Sequence, residues 1–506
     1  MKKNKINILY LTITISLFFA NCDKQQLDIS PTIPIKTTDN AYLKEDDAIS
    51  ATNAIYAPLN SIYNWTQWQI GDIMSDDADH GAGGPTDGIE VEQLDQFTLT
   101  SFNPIVERLW KQCYIGIVRA NIVLEKVPQI TTISSTIKKR CLGEATFLRA
   151  FYYFHLVRNF GDVPLYTNFI SVDDALKIKR SPKQDVLNQI INDLKIADTL
   201  LPKAHTGKDL GRVTNGAVKT TLANVYLFMG DKTNAASKAL EVINSGVYQL
   251  YADYGDNFKL NNENGIESIF EVQCRSGASI WGETQDNGQG QVLNTFFAPR
   301  NQNLVFNQGY GFNVPTKKLV DVYNKTGAAY STIIDKRRPA TLWIPGDVLG
   351  TYTQPASLEG SPNGFNTKKY FVSIANSTSD DDQWRCPLNI PIYRYSEALL
   401  IYAEAAGPNI GLPYLNQVRA RAGLSPIQGG LSEQNYLDAV FIERRLEFAL
   451  EMHRWYDLLR YPNDPQYFIK VMQSAGRTNV AAKHRYLPIP QTEIDKNPNL
   501  TQNTGY

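Results

Sequence analysis

Residues 211–246 constrain the fold more than any other part of the chain. They read GRVTNGAVKTTLANVYLFMGDKTNAASKALEVINSG, with two apolar stretches of helical periodicity separated by Gly230-Asp231. The positions expected to face each other across the turn are Leu222, Ala223, Tyr226, Ala235 and Ala239. Small residues let two helices approach closely, and the tyrosine fills the space between them. The segment therefore predicts a helical hairpin.

The spacing in this hairpin matches the tetratricopeptide pattern, except that alanine replaces its usual glycine. Other stretches with helical periodicity are 46–63, 107–127, 138–202 and 393–461. Within them, 138–166 carries two apolar stripes, which indicates a helix packed on both sides. Hairpins of this kind bury their apolar faces only by stacking on one another. The sequence therefore predicts a mainly α fold, a tetratricopeptide-like scaffold of helical hairpins.

Helical periodicity fails between Val247 and Pro391, where Gly, Asn, Gln and Asp are frequent. Two short alternating pieces, ESIFEVQC and KYFVSI, predict strands in this loop-rich insertion. Long structured loops in a compact protein are usually where ligands bind. The predicted segments are a signal peptide (1–21), an anchor and tether (22–40), a first helical region (41–247), a loop-rich ligand-binding insertion (248–391) and a C-terminal helical region packed with the first (392–506).

The N-terminus has the form of a secretory signal. A basic start, MKKNK, precedes an apolar run that is too short to span a membrane as a stable helix. Small residues before Cys22 indicate lipoprotein processing, in which the thiol is acylated and begins the mature chain. The alternative is ordinary cleavage nearby, which leaves a free thiol. Several acyl chains together anchor a protein stably to a bilayer.

Charge and cysteine content exclude some classes of function. Lys and Arg number 50 against 51 Asp and Glu, so electrostatics give no reason to expect a nucleic-acid partner. Apart from Cys22, four cysteines are scattered over a long chain without metal-ligand spacing. They predict buried unpaired thiols rather than a disulfide framework. No cofactor is expected.

Six segments, in this order, resemble the SusD/RagB family of outer-membrane lipoproteins from Bacteroidetes, and the resemblance runs from Cys22 to Tyr506. The segments are CDKQQLDISP, EATFLRAFYYFHLVRNFGDVPL, GRVTNGAVKTTLANVYLFMGD, YRYSEALLIYAEA, IERRLEFALEMHRWYDLLRY and YLPIPQTEIDKNPNLTQNTGY.

The resemblance implies a cell-surface, lipid-anchored protein that is not an enzyme. Its implied partner is a TonB-dependent, SusC-like transporter in the outer membrane, which imports the captured nutrient. Its implied ligand is an oligosaccharide or glycan, and a peptide is the alternative within the same family. Sugar contacts in this family come from loop residues that follow no fixed motif, so no binding residue transfers by pattern.

Five aromatic residues in polar or Gly-rich surroundings are the candidates for contacting a ligand. Trp65 and Trp68 lie three positions apart, and on a helix they would share a face. Trp281, Tyr310 and Trp384 lie in polar stretches of the insertion. Flat apolar rings with a polar edge suit sugars. The alternative for each is packing against the scaffold.

Carboxylates cluster in GDIMSDDADHG. Asp76 and Asp77 are candidates for hydrogen bonds to ligand hydroxyls, with Asp72, Asp79 and His80 close by. Closely spaced carboxylates also suit calcium, but the twelve-residue calcium loop with its glycine and terminal glutamate is absent. A solvated or helix-capping role is the remaining alternative, and we predict no metal.

Other conspicuous residues are expected to be structural. Trp110 and Trp455 lie in helical stretches with apolar neighbours. Glu443, Glu447 and Glu451 share one helical face near several arginines, which suits ion pairs within and between helices.

Capture of an extracellular oligosaccharide is the leading functional hypothesis. A surface glycoside hydrolase is the alternative, and it would need two carboxylates about 5–10 Å apart with one raised pKa. The chain has no nucleophile elbow, no His-Glu-x-x-His zinc motif and no other recognised catalytic signature. A pure scaffold for the transporter would leave the candidate tryptophans unexplained.

Overall fold

The computed structural model describes residues 42–276, 289–306, 308–323, 335–376, 385–462 and 464–506. The α-helices in these ranges are α1 (Glu45–Trp65), α2 (Ile89–Asp95), α3 (Pro104–Lys126), α4 (Ser135–Phe160), α5 (Val172–Ala175), α6 (Lys183–Leu200), α7 (Asn215–Met229), α8 (Lys232–Ile243), α9 (Leu293–Phe297), α10 (Lys317–Tyr323), α11 (Arg338–Thr341), α12 (Tyr395–Arg421), α13 (Glu433–Glu447), α14 (Arg454–Leu459), α15 (Tyr467–Ser474) and α16 (Gln491–Lys496). Within this part of the chain, none of the helices has the length and apolar character needed to cross a bilayer.

Long helices pack side by side in an order that nearly follows the chain. Helix α1 contacts α3, α3 contacts α4, α4 contacts α6, and α6 contacts α7. The series continues through α7 with α8, α8 with α12, and α12 with α13. The prediction of a mainly α, tetratricopeptide-like scaffold is confirmed.

The hairpin predicted within 211–246 is present as α7 and α8. Thr214 caps α7 by accepting a hydrogen bond from the Ala217 amide. Gly230 ends the helix in the left-handed conformation, with φ of 80°, which glycine adopts without steric cost. Asp231 then caps α8 through the Asn234 amide. The turn residues therefore determine where one helix stops and the next begins.

Short strands form five two-stranded antiparallel pairs in the described residues. The strands are β1 (Ala78–Gly81), β2 (Val163–Pro164), β3 (Arg180–Ser181), β4 (Ser268–Val272), β5 (Phe312–Pro315), β6 (Leu342–Trp343), β7 (Val348–Leu349), β8 (Tyr352–Thr353), β9 (Asn366–Thr367) and β10 (Ile390–Arg394). The pairs are β1–β5, β2–β3, β4–β10, β6–β9 and β7–β8.

One of the two strand predictions is confirmed and the other is wrong. ESIFEVQC contains β4, which pairs with β10. KYFVSI instead forms turns and the start of a 3-10 helix. Tyr370 has φ of 65° and so interrupts an extended chain, and the Lys369 ammonium is buried against Glu451 at 2.6 Å. The alternating pattern of KYFVSI therefore reflects the burial of individual side chains in the tertiary structure rather than a β-strand.

The acidic face of α13 forms ion pairs with other elements, so its predicted structural role is confirmed. Glu443 pairs with Arg337 at 2.6 Å and with Arg419 at 2.9 Å. Glu447 pairs with three arginines, and Glu451, just beyond the helix, pairs with Arg394 and Lys369. These side chains are buried, so the charges tie α13 to α12 and to the strands beside it.

Trp110 and Trp455 are both buried, as predicted. Trp110 packs edge-on against Phe160 with ring centroids 5.0 Å apart. Trp455 packs against Phe97 and Phe468. Both rings contribute to the core between helices rather than to an accessible surface.

Candidate ligand-binding site

The end of α1 places the first two candidate tryptophans against a wall of aromatic rings made of Phe296, Tyr310 and Phe312. Helix α1 ends at Trp65, and a π-helical turn follows at Gln69–Ile73. Such turns change which side chains share a face, and they are frequent at functional sites. Trp65 and Trp68 both contact Phe296, with ring centroids 5.3 and 6.2 Å away.

Trp68 does not serve as a stacking platform, and that prediction is wrong. Its side chain is fully buried, and its indole Nε1 donates to the Asn64 carbonyl at 2.9 Å. It packs on Phe297 and Phe312 at centroid distances of 5.3 and 6.0 Å. The packing alternative is therefore correct for Trp68, which supports the wall from behind.

A cleft of about 350 Å³ lies on the other side of the wall. Trp65, Phe296 and Tyr310 line it, together with the edge of Phe312. Phe296 is the central ring of the group, 5.4 Å from Tyr310 and 5.2 Å from Phe312. Trp65 is only 5% exposed, whereas Phe296 and Tyr310 are half-buried and present more surface. The structure thus brings together two predicted residues, Trp65 and Tyr310.

The loop that carries Tyr310 is held by backbone contacts on both sides. The Tyr310 amide donates to the Thr295 carbonyl at 2.9 Å, and its own carbonyl accepts from Arg300 Nη1 at 3.0 Å. A Cβ on Gly309 would overlap the Pro299 carbonyl, and Gly311 has φ of 70°. Glycine is therefore required on both sides of Tyr310, so the ring is presented by a constrained loop.

Hydrogen-bond acceptors line the same cleft as the rings. Gln69 Oε1 is buried in the lining of the cleft and has no hydrogen-bond partner in the part of the chain that the structure describes. Asp87 Oδ2 accepts from the Gly83 amide at 2.9 Å and pairs with Arg300 at 3.0 Å, while Oδ1 has no partner among the described residues. Glu90 also lines the cleft. These acceptors suit a ligand that supplies many hydroxyl donors.

One cation completes the cleft. Arg108 lies on α3 with its guanidinium 5.8 Å from the centre of the Trp65 ring. A guanidinium at this distance makes a cation–π contact and adds donors to the rim. The cleft therefore offers both kinds of hydrogen-bonding group beside its apolar wall.

Local sequence explains the position of the polar rim. Gly88 has φ of 93°, and it begins α2 immediately after Asp87. Asn103 caps α3 through the Ile105 amide, with Pro104 at the first helical position. The Asn103 side chain also donates to the Glu90 carbonyl at 3.0 Å. The starts of α2 and α3 are thus fixed to each other at the edge of the cleft.

Asp76 and Asp77 are not in the cleft, and their prediction as ligand contacts is wrong. Both are buried and paired with arginines that follow α13 or lie on it. Asp76 contacts Arg454 at 2.8 Å and Arg445 at 3.0 Å, and Asp77 contacts Arg445 at 2.6 Å. Burial opposes ionisation of Asp76, but Arg454 and Arg445 outweigh it and lower its pKa to about 2. Burial prevails at Asp77 and raises its pKa.

The rest of the acidic cluster is also occupied by protein contacts. Asp79 pairs with Arg477, and His80 hydrogen-bonds Glu92 and the Asp87 carbonyl. Throughout the described ranges, no three Asp, Glu, His or Cys side chains are arranged to hold a metal ion.

Three predicted residues lie outside the described part of the chain. They are Cys22, Trp281 and Trp384. Their proposed roles in lipidation and ligand contact stay predictions.

Sequence reasoning missed Phe296, Gln69, Asp87 and Arg108. Phe296 lies in NTFFAPR, where nothing distinguishes an exposed ring from its buried neighbour Phe297. Gln69 becomes recognisable only because its carbonyl is buried without a partner. The segment around Asp87, GAGGPTDG, carried a usable signal, because a carboxylate among glycines is typical of a binding loop.

Known proteins share both the sequence pattern and the fold. Residues 267–506 match the profile described as the SusD family, and residues 27–227 match the profile described as "Starch-binding associating with outer membrane". The chain belongs to the SusD family. SusD-like protein P2 from Formosa agariphila is 28% identical over the full length of both chains.

Solved structures of this family include glycan-binding proteins. A laminarin-binding SusD-like protein has a TM-score of 0.79 and 28% identity, covering 92% of this chain and all of that one. Surface glycan-binding protein A from Bacteroides thetaiotaomicron, solved in complex with laminarihexaose, has a TM-score of 0.75 and 28% identity, covering 91% and 99%. These names describe binding rather than a reaction, and SusD-like proteins are non-catalytic. The prediction that the chain is not an enzyme is confirmed by this membership.

Proposed function

We propose that the protein binds an extracellular oligosaccharide in the cleft formed by Trp65, Phe296 and Tyr310. The observation that carries the proposal is that the aromatic rings line the same cleft as the buried Gln69 Oε1, which has no partner in the described chain. A buried acceptor without a partner is costly, and a ligand hydroxyl removes that cost. A sugar ring has the matching chemistry, since it combines an apolar face with hydroxyl groups around its edge.

A neutral glucan is the first ligand to test. Two related structures of the same fold are named for laminarin or laminarihexaose binding, and one of the matching profiles is described as starch-binding. The cleft has carboxylates at Asp87 and Glu90 balanced by Arg108 and Arg300, so it carries no large excess of either charge. Calorimetric titration against laminarihexaose, maltohexaose and short peptides, with product analysis of each sample, tests the class of ligand.

Replacement of Tyr310 by alanine is expected to weaken oligosaccharide binding by about tenfold, which equals about 1.4 kcal/mol. Tyr310 is half-buried, so removal of its ring takes contact area from the ligand while leaving the core intact. Tyr310→Phe keeps the ring and should bind within about threefold of the native protein if stacking dominates. Calorimetry measures both dissociation constants.

Tyr352 provides a matched control. It is half-buried in the β7–β8 hairpin and does not line the cleft, so Tyr352→Ala should leave binding unchanged. Equal affinity of Tyr310→Ala and the native protein for a ligand that binds saturably would contradict the assignment of this cleft. Saturable binding of peptides alone would replace the oligosaccharide with the peptide alternative.

Delivery to a TonB-dependent, SusC-like outer-membrane transporter and anchoring through an acylated Cys22 complete the proposal. Support comes from the signal-like N-terminus and from the profile described as associating with the outer membrane. A tethered binder raises the local concentration of captured ligand beside the transporter without any new contact.

Cys22→Ala is expected to abolish incorporation of labelled palmitate and to move the protein from the outer-membrane fraction to the soluble fraction. Cys274→Ala is the control and should retain both label and location, because Cys274 lies within the folded part of the chain. Full labelling of the Cys22→Ala protein would contradict the anchor. Unchanged uptake at limiting oligosaccharide after deletion of the protein would contradict delivery.

A further inference from the structure

A second cavity, with a volume of about 80 Å³, lies among α1, α4, α7 and the segment between α13 and α14. It shares no lining residue with the oligosaccharide cleft. Its polar lining includes Arg158 and His155 on α4, Tyr63 on α1, Arg444 on α13 and Glu451 beyond it. At about 30 Å³ for each water-sized particle, the cavity has room for two or three.

Two of the three arginines that line this cavity are paired with carboxylates. Arg444 is paired with Asp457 at 3.0 Å and with Glu397 at 3.4 Å, and Arg460 is paired with Glu404 and Asp457. Glu451 is likewise neutralised by Arg394 and Lys369. The third lining arginine is Arg158.

Arg158 has no carboxylate contact among the described residues. Its Nη2 contacts His155 Nδ1 at 3.0 Å, and its guanidinium lies 3.9 Å from the centre of the Tyr456 ring and 5.4 Å from that of Phe154. Aromatic faces offset part of the cost of a partly desolvated cation, but they do not neutralise it. Since Arg158 is only half-buried, the cavity is reachable by small solutes.

Several hydrogen-bond donors in the lining lack acceptors. Arg158 Nε and Arg444 Nη1 are both buried, and neither has a partner among the residues described by the structure. Because His155 Nδ1 accepts from Arg158, the ring proton lies on Nε2, which faces the Tyr63 hydroxyl at 3.5 Å. The Tyr63 hydroxyl then has a hydrogen to donate and no acceptor in the described chain. Burial and Arg158 lower the pKa of His155 well below its usual range, so the ring stays neutral.

We propose that this cavity binds a small inorganic anion of the halide class between Arg158, Arg444 and Tyr63. A halide accepts hydrogen bonds from all three and places a negative charge in contact with Arg158, which has no carboxylate contact of its own among the described residues. The one acceptor in the lining without a partner, Gln67 Oε1, is satisfied by a water molecule that shares the remaining volume. The anion ties α1 and α4 to α13, so it stabilises the scaffold without contacting the oligosaccharide cleft.

Bromide is the direct probe. Crystals of the native protein grown in sodium bromide are expected to show an anomalous difference peak beside Arg158. In solution, replacing sodium gluconate with sodium chloride at constant ionic strength should raise the Tm saturably, by about 2 °C or more. Absence of the bromide peak would overturn the proposal and indicate a cavity that holds water only.

Two variants separate a bound anion from a general salt effect. Arg158→Met keeps the aliphatic part of the side chain and removes the charge, so it should lose the chloride-dependent rise in Tm. Arg119→Met is the control, because Arg119 donates to the Ala54 carbonyl outside this cavity and should retain the rise.

Equal chloride responses of Arg158→Met and the native protein would overturn the proposal. A bromide peak without any chloride-dependent stabilisation of the native protein would show binding at crystal concentration only, and it would overturn the proposal too. If Arg158→Met does not fold, the bromide peak and the chloride response of the native protein decide the question.

Discussion

Glu447→Gln is expected to destabilise the protein by about 3–5 kcal/mol, the largest loss among the substitutions considered. Glu447 is fully buried and contacts Arg394 at 2.7 Å, Arg421 at 2.5 Å and Arg337 at 3.1 Å. Removing its charge leaves three buried guanidinium groups with fewer carboxylates, and a buried charge that lacks its partner is costly. The urea concentration at the unfolding midpoint measures the loss.

An exposed carboxylate on the same helix provides the control. Glu433 pairs with Lys232 at 3.4 Å, and its side chain is 59% exposed, so Glu433→Gln should change stability by less than about 1 kcal/mol. A Glu447→Gln protein as stable as Glu433→Gln would show that the buried ion pairs do not hold α12 to α13.

The same ion pairs predict how stability responds to acid. Burial opposes ionisation of Glu447, but Arg421, Arg394 and Arg337 outweigh it and hold its pKa well below 4.5. A carboxyl with a lowered folded pKa contributes stability that is present above its unfolded pKa and lost as pH falls through the folded value. The difference in free energy of unfolding between the native protein and Glu447→Gln should therefore shrink as the pH falls.

Asp72→Asn is expected to stabilise the protein at pH 8 and to have little effect at pH 4. Burial raises the pKa of Asp72 from 3.8 to about 7, because its hydrogen bonds from Asn313 and Met452 do not offset the lost hydration. The folded protein therefore keeps a proton that the unfolded chain releases. The contribution of protonated Asp72 to the free energy of unfolding is fully present below pH 4, and it falls by about 4 kcal/mol as the pH rises to 7.

Asparagine reproduces the neutral form of Asp72 at every pH. Its Oδ1 still accepts from the Met452 amide. Asn313 can turn its amide, because in the present orientation Asn313 Oδ1 has no partner within the described ranges. Unfolding by urea between pH 4 and 8 measures the free energy of unfolding, and the exposed Asp173→Asn serves as the control. If the native protein and Asp72→Asn differed in free energy of unfolding by the same amount at every pH from 4 to 8, the raised pKa of Asp72 would be contradicted.

Asp72 also links this titration to the binding cleft. It lies in the π-helical turn that presents Gln69, and its partner Asn313 follows Phe312 on β5. Titration of Asp72→Asn and its control Asp173→Asn with oligosaccharide therefore shows whether the charge on Asp72 changes ligand affinity as well as stability.

Local interactions explain what could be predicted from the sequence. The hairpin of α7 and α8 needs only apolar periodicity, a left-handed Gly230 and the caps Thr214 and Asp231, all within 36 residues. The structural roles of Trp110 and Trp455 likewise follow from the apolar residues around them. Patterns of this kind depend on neighbours along the chain, so they remain readable without the fold.

The cleft depends on residues far apart in the chain. Trp65 and Arg108 come from the first helical region, whereas Phe296 and Tyr310 come from the insertion. Trp65 and Trp68 have nearly the same sequence surroundings, yet one lines the cleft and the other is buried behind it. A π-helical turn and the position of Phe296 made that difference, and neither is encoded in the spacing of the two tryptophans.

The family, the helical scaffold and the candidate Tyr310 could all be predicted before the fold was known, because periodicity, turn residues and ordered segments are local properties. The tertiary structure alone decided that Asp76 and Asp77 pair with Arg454 and Arg445 instead of facing a ligand. Those partners lie more than 360 residues away, and an ion pair forms wherever the fold brings opposite charges out of water together.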